Sequence, residues 1–149
     1  LEEIRGIACV KCGMAKDLED ATKNSPAFPM VAFITEAQDY YYPPEDKTIK
    51  KDEVDLVSRL MFMQVLHKTY AGTATVCTGV AAKIKGTLVN QVLNNENPPE
   101  LVRIGHPAGM IPCYSEVDEN NNVKKAAIVR TARRLMEGYA LLEKSKYQA

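Results

Sequence analysis

Apolar positions along the chain fall into a few blocks whose spacing predicts elements. Ile4, Ile7, Ala8, Val10, Met14 and Leu18 recur at roughly helical intervals, so residues 1 to about 23 read as a helix, with Gly13 its weak point and Asn24-Ser25-Pro26 its end. Phe28 to Thr35 is a short, nearly continuous apolar run with β-branched members, the pattern of a buried strand. Asp39 to Lys47 reads as a loop by its prolines and charges, and its Tyr40, Tyr41 and Tyr42 suit either a sticky patch or loop anchors. From Asp52, an N-cap residue type, to about Leu66, the positions Val54, Val57, Leu60, Met61 and Val65 line one side of a helix. They predict a strong one, with Met61, Phe62 and Met63 packed in a core.

A turn at Gly72 leads into a further helix, with Thr73 or Thr75 as its cap, Val76, Cys77, Val80, Ala81 and Ile84 along it, and Gly86 as its stop. This helix is apolar nearly all round and is expected to be buried on most sides, with Gly79, Ala81 and Ala82 letting strands approach closely. A short helix or turn is expected over Thr87–Leu93, then a polar loop over 94–99. Strands are expected at Leu101–Ile104 and Met110–Val117, joined by Gly105-His106-Pro107-Ala108-Gly109, with a hairpin loop at Asp118–Asn122. Val123–Leu142 is ambiguous, and its composition leans to helix. No internal repeat or low-complexity tract occurs.

Composition narrows the class without naming a function. The 149 residues suffice for one ordinary domain, and 46% hydrophobic with 26% charged residues is a globular profile. Lys plus Arg and Asp plus Glu number 19 each, so no overall field draws the chain to nucleic acid or to an anionic membrane. The local basic group Arg130, Arg133 and Arg134 is small. No apolar run has the length of a membrane span, and no signal-peptide pattern opens the chain. The opening Leu1-Glu2-Glu3-Ile4-Arg5 suggests a piece of something longer. With this much apolar content, Cys9, Cys12, Cys77 and Cys113 are not needed as staples, and a reduced, cytoplasmic setting is the simpler reading.

Several constellations bear on chemistry. Cys9-Val10-Lys11-Cys12 lacks the second pair or nearby histidines that a zinc or redox site requires, so its cysteines read as core residues of a helix. His67 through Cys77 leaves one helix, turns on small residues and enters another. The first turn of that helix offers unpaired N–H groups and partial positive charge to a carboxylate or phosphate. Thr73 and Thr75 add hydroxyls, and His67 or Lys68 adds charge; the alternative is a capped core helix and nothing more. Cys77, one short step further on, is either a thiol of lowered pKa or a small buried hydrophobe. The turn carrying His106 allows close backbone approach at its two glycines. Arg130 suits bidentate carboxylate binding, against the alternative of a solvated basic face.

Three runs together resemble a known family. They are His67-Lys68 with Thr73-Ala74-Thr75-Val76-Cys77, then Val102 to Gly109, then Val129-Arg130-Thr131-Ala132-Arg133-Arg134-Leu135-Met136-Glu137-Gly138. In this order, and with Ser25 to Phe33 before them, they resemble the C-terminal half of the PrpF-like methylaconitate and methylitaconate isomerases. The resemblance implies an α+β, diaminopimelate-epimerase-like domain, a mixed or antiparallel sheet curled around a central buried helix. It further implies that residues 1–149 form a single domain, the C-terminal half of a two-domain protein, and that Val123–Leu142 is strand. Two departures stand out: Ala108 replaces the family's usual serine, and Ala74-Thr75 its usual Gly-Ala.

By the same resemblance, the reaction is a shift or geometric change of a double bond in a small unsaturated di- or tricarboxylic acid. It proceeds by proton transfer through a dienolate-like species, with neither cofactor nor metal. The implied partners are the small carboxylic acid and the N-terminal domain, which supplies a lysine and a cysteine; a homodimer is compatible, and nucleic acid and membrane are not expected. The substrate-holding wall would be His67, Gly72, Thr73, Ala74, Thr75, His106 and Arg130, with Cys77 the weaker candidate for acid–base work, and this half alone would be inactive. The rival reading is a non-catalytic carboxylate-binding module of the same fold, favoured by Ala108. A related amino-acid epimerase fits less well, because the helix entrance at Thr73–Thr75 carries no cysteine.

Overall fold

A computed structural model of the chain describes residues 1–93 and 98–143. The expected first helix divides where its weak point lies. α1 (Glu2–Lys11) is followed by Gly13 in the left-handed region (φ 72), and α2 (Leu18–Asn24) restarts under Asp17, whose carboxylate accepts the Asp20 N–H. Arg5, 1% exposed, ties the two helices to the chain that follows. Its guanidinium forks onto the Glu2 carboxylate at 2.8 and 2.6 Å and donates to the carbonyls of Ser25 (2.8 Å), Ala21 (3.0 Å) and Phe28.

β1 (Val31–Glu36) is the strand expected from the apolar run. The tyrosine segment is ordered rather than loose: β2 (Tyr40–Tyr42) and β3 (Lys47–Ile49) pair antiparallel around a 3₁₀ turn at Pro43–Glu45. The helix expected from Asp52 to Leu66 is not formed. The segment holds a short 3₁₀ turn at Lys51–Glu53, then β4 (Leu56–Phe62) and β5 (Val65–Leu66), joined by Met63 and Gln64 at positive φ. The reason is burial on both faces. Leu56, Ser58 and Leu60 face one side, while Val57, Arg59 and Met61 face the other, so apolar residues on both sides imitate helical spacing. Met63, expected in the core, is exposed at this turn.

α3 (Gly72–Ala81) begins at the expected turn but ends five residues before the expected stop at Gly86, with Ile84 in the turns that follow. α4 (Leu88–Leu93) is the expected short helix, and the polar loop expected over 94–99 lies outside the described residues at 94–97. β6 (Leu101–His106), β7 (Gly109–Val117) and β8 (Val123–Ile128) complete the sheet. Val123–Leu142 is thus a strand only as far as Ile128, and 129–143 carry no regular element. The mixed sheet runs β1-β4-β6-β7-β8, with β4 and β6 parallel and the other neighbours antiparallel. β5 shares an edge of β4 with β6: β6 pairs Leu56 and Val57, β5 pairs Met61 and Phe62, and Ser58 to Leu60 lie between them.

α3 rests on β7 and β8, and α4 on β1. Between them and the sheet lies the main core of Leu56, Leu60, Tyr70, Ala74, Val102 and Ile104. The β2–β3 hairpin covers a second cluster of Ile49, Val54 and Val57. α3 comes close to the sheet at Gly79, where an added Cβ would stand 2.3 Å from Cys113 Sγ and 2.8 Å from its Cβ. Ser115 locks this contact by donating to the Gly79 carbonyl at 2.7 Å. Gly79→Ala is therefore expected to lower stability by about 1–3 kcal/mol in urea unfolding, although alanine is the better helix former by about 1 kcal/mol. Adding Cys113→Ala should recover part of that loss.

Candidate functional site

The residues singled out in the sequence gather where α3 begins, where β6 ends and where the chain leaves β8. α3 starts at Gly72 under Ala71, and neither Thr73 nor Thr75 caps it; no side chain does. Thr75 is fully buried, and both its N–H (2.8 Å) and its hydroxyl (3.0 Å) go to the Ala71 carbonyl, so this threonine stabilises the helix from within. Ala74 is buried toward the sheet. Thr73 and Cys77, one turn apart, are exposed, so the helix presents an open face and is not buried all round. The N–H groups of Gly72, Thr73 and Ala74 precede the first helical bond and are free to take an acceptor.

Arg130 stands over this helix start. Its Nη2 lies 3.5 Å from the point where a Gly72 Cβ would be, beside Ile128 Cδ1 at 3.2 Å. The guanidinium is exposed and has no partner among the described residues. An unpaired cation set against the positive end of a helix is an arrangement completed by an anion.

His106 lies against Tyr70, two residues before α3. It is 7% exposed, and its ring lies nearly parallel to that of Tyr70, 6.4 Å between centroids and 22° apart. Tyr70 is itself fixed, its hydroxyl 3.0 Å from both Ser58 and Thr78 hydroxyls. The Ala108 N–H donates to His106 Nδ1 at 3.1 Å. Burial, with the Arg59 guanidinium and His67 nearby, pushes His106 down to about 4, so the ring is neutral at pH 7. His67 is half-buried; its N–H donates to Leu60 (2.8 Å), and its Nδ1 takes the Thr69 N–H at 3.1 Å.

The low His106 value predicts an acid limb of stability. The folded value lies below the ordinary 6.5, so the unfolded chain binds the extra proton first. The contribution is complete above pH 6.5 and is lost as pH falls toward 4, about 3 kcal/mol in all. Thermal melts across that window should show the loss, and His106→Gln should flatten it. Asp118, held down to about 2 by Lys124 and Asn122, and Glu2, held below its ordinary value by Arg5, add their own losses only toward the acid end of this window, so the His106 limb is read in its upper part.

Sequence reasoning missed three members of the arrangement. Tyr40 braces the His106 turn, its hydroxyl donating to the Gly109 carbonyl at 2.6 Å and its ring filling the space a Gly105 Cβ would take at 2.9 Å. Of the two roles open to the tyrosines, the loop anchor is the one Tyr40 plays. Arg59 lies 5.3 Å over the Tyr40 ring and donates to the Ser58 carbonyl at 2.8 Å. A single arginine in the apolar run Leu56–Phe62 was the available signal. Tyr70 could be placed only once β4 was known to be a strand.

Other candidates stay apart. Cys9 is buried and Cys12 exposed, and neither is in a disulfide. Among the described residues no group of three His, Cys, Asp or Glu is placed to hold a metal ion, and no helix is long and apolar enough to cross a membrane.

An uncapped helix start with an arginine over it, on a mixed sheet of an α+β domain, is the arrangement that the comparisons with known proteins now place in a family. The chain belongs to the PrpF family, whose model (PrpF protein) matches residues 1–143. It is 61% identical over 146 residues to the 3-methylitaconate isomerase of Eubacterium barkeri, covering 98% of this chain and 38% of that protein. It is 35% identical over 146 residues to the 2-methyl-aconitate isomerase of Shewanella oneidensis, covering 96% and 36%. A crystal structure of methylitaconate-delta-isomerase superposes with a TM-score of 0.85 at 60% identity, over 98% of this chain and 38% of that one. The chain therefore spans just over a third of the length of these relatives.

Proposed function

We propose that this domain is the substrate-holding wall of an isomerase that moves a double bond in a small unsaturated dicarboxylic acid of the methylitaconate type. The observation that carries the reading is Arg130 set unpaired against the uncapped start of α3, in a chain 61% identical to a 3-methylitaconate isomerase. One substrate carboxylate accepts from the N–H groups at Gly72 to Ala74 and from the Arg130 guanidinium. The base that takes a proton from one carbon and the acid that returns one to another belong to a second domain, supported by the 38% coverage of the relative. Cys77, exposed one turn beyond Thr73, borders the same cleft without a base hydrogen-bonded to it among the described residues. No cofactor enters this scheme.

The alternative of a binding module without catalysis draws on Ala108 in place of a serine. Here the contact made by residue 108 is its backbone N–H on His106, which alanine and serine supply equally. Thermal-shift titration of the full-length protein tests the site: 3-methylitaconate and related di- and tricarboxylates should raise the melting temperature, and monocarboxylates of equal size should not. Equal shifts from both would leave no carboxylate-specific wall.

A further inference from the structure

His106 has a feature that a general carboxylate wall does not require. The Ala108 N–H occupies Nδ1, so the proton of the neutral ring resides on Nε2. Nε2 has no hydrogen-bond partner among the described residues. No fully enclosed side-chain nitrogen or oxygen among them lacks a partner, so this atom opens to solvent although the residue is 93% covered. The ring cannot turn freely. Tyr70 lies along it, and the Ser58 and Thr78 hydroxyls hold Tyr70. The carrying turn is fixed from the opposite face by Tyr40 on Gly105 and Gly109. The groups facing it are Arg59 on β4, His67 after β5, Tyr70 before α3 and Tyr40 on β2; none is a carboxylate that would draw a proton onto the ring.

We infer that His106 is an uncharged hydrogen-bond donor to the substrate, its Nε2–H held on the carboxylate oxygen that gains charge as the carbon acid is deprotonated. The inference rests on the proposed isomerase reading and assigns this residue a role within it. When a base of the completed cleft removes the proton from carbon, the C–H electron pair moves into the conjugated system and onto that oxygen. When the acid protonates the other carbon, the pair returns to form the new C–H bond. His106 neither gains nor loses a proton. A neutral donor suits this role because a cation beside Arg59 would bind the ground-state carboxylates nearly as firmly as the dienolate, and only the difference accelerates the reaction.

Two measurements on the full-length protein decide the point. The first is the ¹⁵N spectrum of histidine-labelled protein. The His106 signals should be those of the Nε2–H tautomer from pH 8 down to about pH 5, and the Nε2–H proton should shift when 3-methylitaconate is added. An imidazolium at pH 7, or the Nδ1–H tautomer, overturns the inference whatever the activity. The second is turnover of 3-methylitaconate. His106→Gln places an amide N–H₂ near the Nε2 position and should keep a tenth or more of kcat. His106→Glu and His106→Leu should lose a hundredfold or more in kcat, with KM changing by less than tenfold. Equal kcat in wild type and His106→Leu sinks the role of His106 and leaves the isomerase standing; absence of turnover in the wild type sinks the isomerase reading itself, while the spectrum still reports the tautomer. Melting temperatures of the three variants separate a folding defect from a catalytic one.

Discussion

Arg130→Ala in the full-length protein is expected to raise KM for a methylitaconate-type substrate ten- to a hundredfold, about 1.4–3 kcal/mol of binding, with the melting temperature unchanged. The size follows from losing a charge-assisted hydrogen bond to a carboxylate at a partly open site. The unchanged melting temperature follows from exposure: the Arg130 side chain lies over Gly72 at the surface and has no partner among the described residues. Arg130→Lys should restore only part of the affinity, because a point charge cannot fork onto two oxygens. Steady-state kinetics at two salt concentrations checks this. A KM that stays put on removal of the guanidinium would return Arg130 to the solvated basic face that its sequence run also allowed.

The second large effect is on folding. Arg5→Met should unfold the α1–α2 pair at a cost of about 3–5 kcal/mol, because it strips the Glu2 carboxylate of its cation, takes the guanidinium donor from the Phe28 carbonyl, and leaves the Ser25 and Ala21 carbonyls only their backbone N–H partners. Arg5→Lys should recover a minority of this. Amide hydrogen exchange is the readout: protection should fall in α1 and α2 while β4, β6 and β7 keep theirs, since α1 packs chiefly on α2. Uniform loss across the sheet would show that Arg5 holds the whole domain.

What the residues told in advance, and what they did not, has physical causes. Breakers and caps are local, so Gly13, Gly72 and the Asp118–Asn122 loop announced their turns. The α3 and α4 helices were legible from such breakers, while the α+β class was what the family resemblance implied. The segment from Asp52 to Leu66 misled because a strand covered on both faces has no alternation to display. Family resemblance corrected the helical propensity of Val123–Leu142, but only to Ile128. Of the residues singled out, Gly72 and Thr73 lie in the first turn of α3 with Arg130 over Gly72, and His106 lies against Tyr70 just before it, whereas Thr75 proved to be turned inward and Thr73 no cap. Arg59 escaped notice, and Tyr40 was seen only as a possible anchor with nothing to say what it holds, because their roles depend on contacts between distant segments, 69 residues apart for Tyr40 and Gly109. The candidate opening at Gly72 to Thr75 is thereby narrowed to the N–H groups of Gly72 to Ala74 under Arg130, with His106 as a neutral neighbour.

The most direct test of the account is proton NMR of 3-methylitaconate incubated in D₂O with the full-length protein and, in parallel, with the 149-residue chain alone. The full-length protein is expected to move the double bond and place deuterium on the carbon that receives the proton, while the 149-residue chain binds the acid and leaves it unchanged. Turnover by the 149-residue chain alone, or binding without turnover by the full-length protein, would contradict it.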